Sequence, residues 1–171
     1  MANTDSNLIT NLDASPPVAN EVGLSGARMR VAWDEFEVTG ADFDAAADTV
    51  KLARLPANAR IHDISVKCDD LDGGSDSAVD VGIYDVDGNA KDQDEFASAV
   101  TTFRAAVVTW TELTNEARDI DGCTAELWSL AGYTAFKDVP KGLLDIVLTQ
   151  TATVGSDADG TLMFRIIYTI D

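Results

Sequence analysis

Thr161-Leu162-Met163-Phe164-Arg165-Ile166-Ile167-Tyr168-Thr169-Ile170 alternates apolar and other residues, with Leu162, Phe164, Ile166, Tyr168 and Ile170 on one side. A period of two over ten residues, rich in Ile, Phe, Tyr and Thr, is the pattern of a β-strand with one buried face. Leu143 to Thr153 repeats it through Leu144, Ile146 and Leu148. Between the two lies the polar, Gly-rich stretch 154–160, so the spacing predicts a closing hairpin. Further strands follow towards the N-terminus. Ser77 to Tyr84 alternates through Val79, Val81 and Ile83, and Asp87-Gly88 after it signals a hairpin turn. Ala59 to Cys68 places Ile64, Val66 and Cys68 together; Asp48 to Leu52 is shorter, and Pro56 sets a turn over Leu55–Ala59. Phe96 to Phe103 and Ala105 to Thr111 are further strands.

Arg28 to Val38 contains two apolar sets. Met29, Val31 and Trp33 share one parity, Phe36 and Val38 the other. A bulge near Asp34–Glu35 would bring both to one core face. A single short helix is expected where Asp121 or Thr124 can cap, Leu127, Leu130 and Ala131 fall at helical spacing, and Gly132 can close. About eight short strands without a strand–helix–strand rhythm predict an all-β domain over residues 28–171, a β-sandwich or jelly roll. Residues 1–27 lack periodicity, are rich in Asn, Asp, Ser and Pro, and include Pro16-Pro17. They read as an extended N-terminal arm.

The chain has 171 residues, 46% hydrophobic, enough for one domain with a real core. Its 30 Asp and Glu against 12 Lys and Arg give a formal charge of −18. That balance argues against nucleic acid and anionic membrane surfaces as partners, because both need a basic face. Salt shortens the range of self-repulsion, from about 10 Å at 0.1 M to about 3 Å at 1 M, so such a surface suits salty water. No run approaches the roughly 18 apolar residues of a membrane span, and the N-terminus shows no secretory signal pattern. The two cysteines, Cys68 and Cys123, are expected as free thiols.

Catalytic chemistry finds few residues. His62 is the only histidine; its parity matches Ile64, and it reads as a strand-end residue with a satisfied hydrogen bond. Cys68 stands six residues further on, roughly 20 Å away along a strand at ~3.3 Å per residue. No Gly-x-Ser-x-Gly, Cys-x-x-Cys, phosphate loop or dinucleotide fingerprint occurs. Asp85-Val86-Asp87-Gly88-Asn89 imitates the opening of a calcium loop but has Ala90 at the sixth position and Phe96 at the twelfth. Asp69, Asp70, Asp72 and Asp76 form a second oxygen-rich stretch, read as a solvated hairpin loop. Trp33, Trp110 and Trp128 sit in apolar contexts and read as core. No catalytic residue, cofactor or metal is expected.

The order of segments carries a resemblance. It runs through Arg28-Met-Arg-Val-Ala-Trp-Asp-Glu-Phe-Glu-Val38, Leu55-Pro-Ala-Asn-Ala-Arg-Ile61, Ser77-Ala-Val-Asp-Val-Gly-Ile-Tyr-Asp85 and Asp92-Gln-Asp-Glu-Phe-Ala-Ser-Ala99. Leu127-Trp-Ser-Leu-Ala-Gly132, Leu144-Asp-Ile-Val-Leu-Thr149 and Gly160-Thr-Leu-Met-Phe-Arg-Ile-Ile-Tyr-Thr169 complete it. The set resembles the capsid decoration or cement proteins of tailed bacteriophages, above all those of marine phages. The resemblance implies a non-enzymatic structural virion protein, made in the host cytoplasm and bound to the outer capsid surface. Its implied partner is the major capsid protein, its implied state a homotrimer, and its task the reinforcement of the capsid lattice. Leu8, Ile9, Leu12 and Val18 are the arm's apolar candidates for contact with the capsid or a neighbouring copy. Two other readings remain open: a head-fibre or tail-associated host-adsorption protein, and a carbohydrate-binding β-sandwich module.

Overall fold

The computed structural model describes residues 9–10, 14–19, 27–74, 76–114, 120–154 and 158–170. Eight strands form two four-stranded antiparallel sheets: β1 (Arg28–Val38), β2 (Thr49–Pro56), β3 (Arg60–Cys68), β4 (Val79–Asp85), β5 (Ala90–Val100), β6 (Val107–Glu112), β7 (Leu143–Gln150) and β8 (Gly160–Ile170). One sheet runs β1-β8-β3-β6, the other β2-β7-β4-β5. Successive strands mostly change sheet, and this interleaving is that of a jelly roll. The fold class read from the alternation is therefore an all-β sandwich.

The core lies between the sheets. Ile64 and Val66 of β3 and Leu162, Phe164 and Ile166 of β8 face Val79, Val81 and Ile83 of β4 and Leu144, Ile146 and Leu148 of β7, all buried. These are the alternating positions of the sequence, each contributing roughly 1.5–3 kcal/mol by leaving water.

Four local expectations are corrected. The final two strands do not form a hairpin: β7 pairs with β2 and β4, whereas β8 pairs with β1 and β3. A Gly-rich connection reads the same whether it turns within a sheet or crosses between two. No bulge interrupts β1, whose register with β8 is continuous from Arg28↔Ile170 to Val38↔Gly160. Ala32 and Phe36 pack against the core and Val38 is buried within it, while Met29, Val31 and Trp33 point to solvent. The expected single helix is two short turns, Ile120–Thr124 and Leu127–Leu130. They are separated because Glu126 is extended and leaves the Leu127 and Trp128 amides to bond the carbonyls of Ala59 and Ala57. Gly132, at φ 75°, closes the second turn as its sequence position suggested. β5 begins at Ala90, six residues before the expected Phe96, because an edge strand tolerates the charged run Lys91–Glu95.

The β4–β5 hairpin turns where Asp87-Gly88 predicted, and Asp85 organises it. Its carboxylate accepts the backbone N–H groups of Asp87 and Asn89 at 3.0 and 2.9 Å and the Asn89 side-chain amide at 2.9 Å, with Lys91 Nζ at 3.2 Å. Burial acts to raise this group's pKa, but the donors from Asn89, Lys91 and Asp87 outweigh it and hold it at about 2. A folded-state pKa below the unfolded value means stability present above roughly pH 3.9 and lost as pH falls through the folded value. Acid titration of the thermal midpoint is expected to show a loss between about pH 4 and pH 2 that is smaller in Asp85→Asn. Equal acid sensitivity in that variant would show that Asp85 is not the titrating group.

Candidate interaction surface

The two outer faces of the sandwich differ in chemistry. On the β2-β7-β4-β5 sheet the outward side chains are polar and engage one another. Arg54 grips Asp145 with two bonds, at 2.6 and 2.8 Å, and Lys51 approaches the same carboxylate at 3.5 Å. Burial favours the neutral acid, but Arg54 and then Lys51 prevail and lower the Asp145 pKa. Tyr84 and Thr149 hydroxyls meet at 2.8 Å, and the Gln93 amide donates to Asp80 at 2.9 Å.

On the β1-β8-β3-β6 sheet large apolar side chains stand uncovered among the outward polar ones. Met29 is 69% exposed, Val31 51%, Trp33 68% and, at the opposite edge, Val108 83%. Four of the seven exposed large hydrophobics among the described residues lie here, and two more, Ile9 and Val18, lie in the N-terminal segment. Half-buried Met163 and Ile167 of β8 fill the ground between, because they stand opposite Glu35 and Val31.

A band of cations and aromatics crosses this face. Trp33 stands opposite Arg165, and Arg165 opposite Ser65. The Arg165 guanidinium lies 4.9 Å from the centre of the Trp110 ring, and Lys67 Nζ lies 5.1 Å from it. Both distances suit cation–π attraction. Asp63 anchors Arg165 at 3.1 Å, so the band is held in place before any partner arrives. An open depression of about 400 Å³ beside it is lined by Glu35, Lys67, Val108 and Met163, among others. It is too shallow to enclose a small molecule, and exposed apolar and aromatic side chains interleaved with anchored charges suit a protein-binding surface.

Trp33, expected in the core, is thus a surface residue, whereas Trp128 packs on the core and Trp110 lies half-buried under its two cations. The sequence signal for the face was the double apolar set of β1: one set belongs to the core and the other to the exterior.

The residues weighed for chemistry are dispersed. His62 escapes the Ile64 face because β3 shifts register between Ile61 and Asp63; it is exposed, with Nε2 2.9 Å from the Thr169 hydroxyl. Cys68 and Cys123 are free, and burial pushes the Cys68 thiol up to about 11. The acidic stretch folds upon its own backbone: Asp70 accepts from Asp72 N–H, Asp72 from Gly74 and Ser77, and Asp69 from Thr161. No group of acids, His or Cys among the described residues is arranged to hold a metal. In the arm, Ile9 and Val18 are exposed at 45% and 52%; Leu8 and Leu12 lie outside the described residues.

No family profile matches the chain, and no curated protein matches it in sequence. Solved structures do match in shape. A chain in the capsid of Ralstonia phage GP4 aligns with a TM-score of 0.57 at 20% identity, over 83% of this chain and 85% of that one. A chain in the cyanophage Pam1 capsid asymmetric unit aligns with a TM-score of 0.51 at 16% identity, over 85% and 86%. The fold of this protein, over most of its length, is a fold also found in those phage capsids.

Proposed function

We propose that the protein is a structural component of a bacteriophage virion, a decoration or cement protein that binds the outer surface of the major capsid lattice and stabilises it. The observation that carries this reading is the set of exposed apolar side chains on the β1-β8-β3-β6 sheet, from Met29, Val31 and Trp33 to Val108. A compact jelly roll with one sticky flat face and one polar self-satisfied face can lie on a lattice with the first face down and the second in water. The shared fold with chains of two phage capsids supports the same reading. Three-fold lattice positions suit a closed set of three copies, held apart from one another by charge and together by the shell.

Residues 1–27 add reach. Where such a segment is extended it gains about 3.3 Å per residue, although Ile9 and Thr10 are helical here, and Leu8, Ile9, Leu12 and Val18 offer apolar anchors. The test is to add the full chain to shells of its phage that lack it. Saturable binding in hundreds of copies at symmetric positions, with a raised shell disruption temperature, is expected. Adsorption to host cells in place of binding to shells would favour a host-adsorption role and overturn the cement reading. Deleting residues 1–26 should leave the far-ultraviolet spectrum and cooperative melting intact, because the sheets begin at Arg28, but weaken decoration at least tenfold. Undiminished decoration would remove the arm from the attachment.

A further inference from the structure

β1 and its outer edge point to a contact between two copies of this chain. Sheets have edges that invite another strand, and proteins guard them with bulges, prolines, charges or short length. Three of the four edges here are guarded. β2 carries Pro56 and a register shift between Lys51 and Ala53. β5 shifts register three times against β4 and holds the charged run Lys91–Glu95. β6 is six residues long, and its pairing with β3 is interrupted between Val66 and Cys68. β1 lacks three of these: it is eleven residues long, unbulged against β8 and without Pro, and although it carries charges of both signs it exposes Met29, Val31 and Trp33. No described residue pairs with its free side.

The strand's own charges choose the occupant. Its first half carries Arg28 and Arg30, its second half Asp34, Glu35 and Glu37. Side by side and antiparallel, two copies bring each basic half against an acidic half, and a parallel pairing sets like against like. The backbone restricts the register as well. Thr161 of β8 turns its carbonyl to Asp69 N–H, on the β3 side, so the even-numbered residues of β8 bond the even-numbered residues opposite them in β1. Glu35, whose N–H bonds to the Asp34 carboxylate at 2.9 Å, and the other odd-numbered residues therefore direct their N–H and C=O groups to the free edge.

We infer that β1 pairs with β1 of a second copy about a two-fold axis through Ala32, joining the two sheets into one of eight strands. In this register Arg30 stands opposite Asp34 of the other copy, twice. Val31 stands opposite Trp33, also twice, an aromatic–β-branched pair of the kind that stabilises sheets. The Asp34 carboxylate exchanges the Glu35 amide for Arg30, and that amide bonds a carbonyl of the other strand. The contact is independent of the virion reading, and on a lattice it would tie neighbouring copies across local two-fold positions. Net charge opposes it in dilute salt, so association of the free chain strengthens as salt shortens the repulsion from about 10 Å at 0.1 M towards about 3 Å at 1 M.

Two measurements on the full chain test this. Sedimentation equilibrium in high salt should show a monomer–dimer equilibrium, with R30D weakening the dimer at least tenfold and the R30D/D34R exchange restoring it to within threefold. Ala32→Cys should form an intermolecular disulfide under mild oxidation, because facing residues of a non-hydrogen-bonded pair have Cα atoms about 4.5 Å apart, within disulfide reach. The unsubstituted chain and the exposed control Thr151→Cys should not. A chain that stays monomeric at high salt and fails to crosslink through Ala32→Cys overturns the proposal. So does a dimer indifferent to R30D but lost on deleting residues 1–26, which would assign the edge to a neighbour's arm.

Discussion

Gly82→Ala should be among the most destabilising single substitutions in this chain, with an expected loss of about 3–5 kcal/mol. Gly82 lies in β4 opposite Val147 of β7, at a position whose outward side would carry the side chain. There β5 does not run flat. Its register jumps from Val81↔Ala97 to Ile83↔Asp92, so extra β5 residues arch over the strand. Asp80 holds the arch, accepting Gln93 Nε2 at 2.9 Å and Ala99 N–H at 2.8 Å. A methyl group at Gly82 would lie 2.1 Å from the Asp92 carbonyl oxygen and 2.2 Å from that of Gln93. Neither is a side chain that can swing aside. Relief requires moving backbone that Asp80 ties down, and a tightly packed interior transmits such a shift rather than absorbing it. Chemical denaturation should show the midpoint falling with the slope nearly unchanged. A variant within about 1 kcal/mol of the parent would mean that the β5 arch does not rest on Gly82.

That glycine also shows where sequence reading stops. Within the alternation Val79, Val81, Ile83 it appears as an outward residue of no consequence, since the close approach comes from a strand whose bulges have no local signature. The alternation itself was legible. Leu144, Ile146 and Leu148, and Leu162, Phe164 and Ile166, took the core positions their period assigned. Sheet membership was not legible, because β7 and β8 are consecutive in sequence yet belong to different sheets. Nothing in the loop residues distinguishes a hairpin from a crossover. The interaction face was legible in part. Met29, Val31 and Trp33 stood out as a second apolar set in β1, and the assumption that large apolar residues belong inside turned them into evidence for a bulge. Hydrophobic residues do go inside in bulk, but a contiguous set that stays outside is the informative exception. Val108, one exposed valine in a short edge strand, had no signal until Trp110 and Lys67 placed the outward side of β6 beside that of β3.

Replacing Trp33 by Thr should abolish most decoration of empty shells while leaving the fold nearly untouched. The side chain is 68% exposed, so its removal takes little from the core, and Thr keeps the strand preference. Folding stability should change by less than about 1 kcal/mol. Binding should respond differently, because large exposed aromatic residues are the commonest anchors of a protein interface, each contributing about 2 kcal/mol or more. That corresponds to roughly a 30-fold loss of affinity per site at 1.4 kcal/mol for each factor of ten, and repeated over many copies it becomes loss of stable decoration. Trp33 also belongs to the inferred β1 pair, so a second substitution separates the two contacts. Val108→Thr lies on β6, at the far edge of the same sheet. A face laid flat on the capsid buries Val108 together with Trp33; a contact confined to the β1 edge does not reach it. Val108→Thr should therefore weaken shell binding several-fold and leave the monomer–dimer equilibrium of the free chain unchanged. If Trp33→Thr and Val108→Thr both decorate shells as fully as the parent, the β1-β8-β3-β6 face is not the capsid-binding surface, and attachment must be sought in the arm or on the polar sheet.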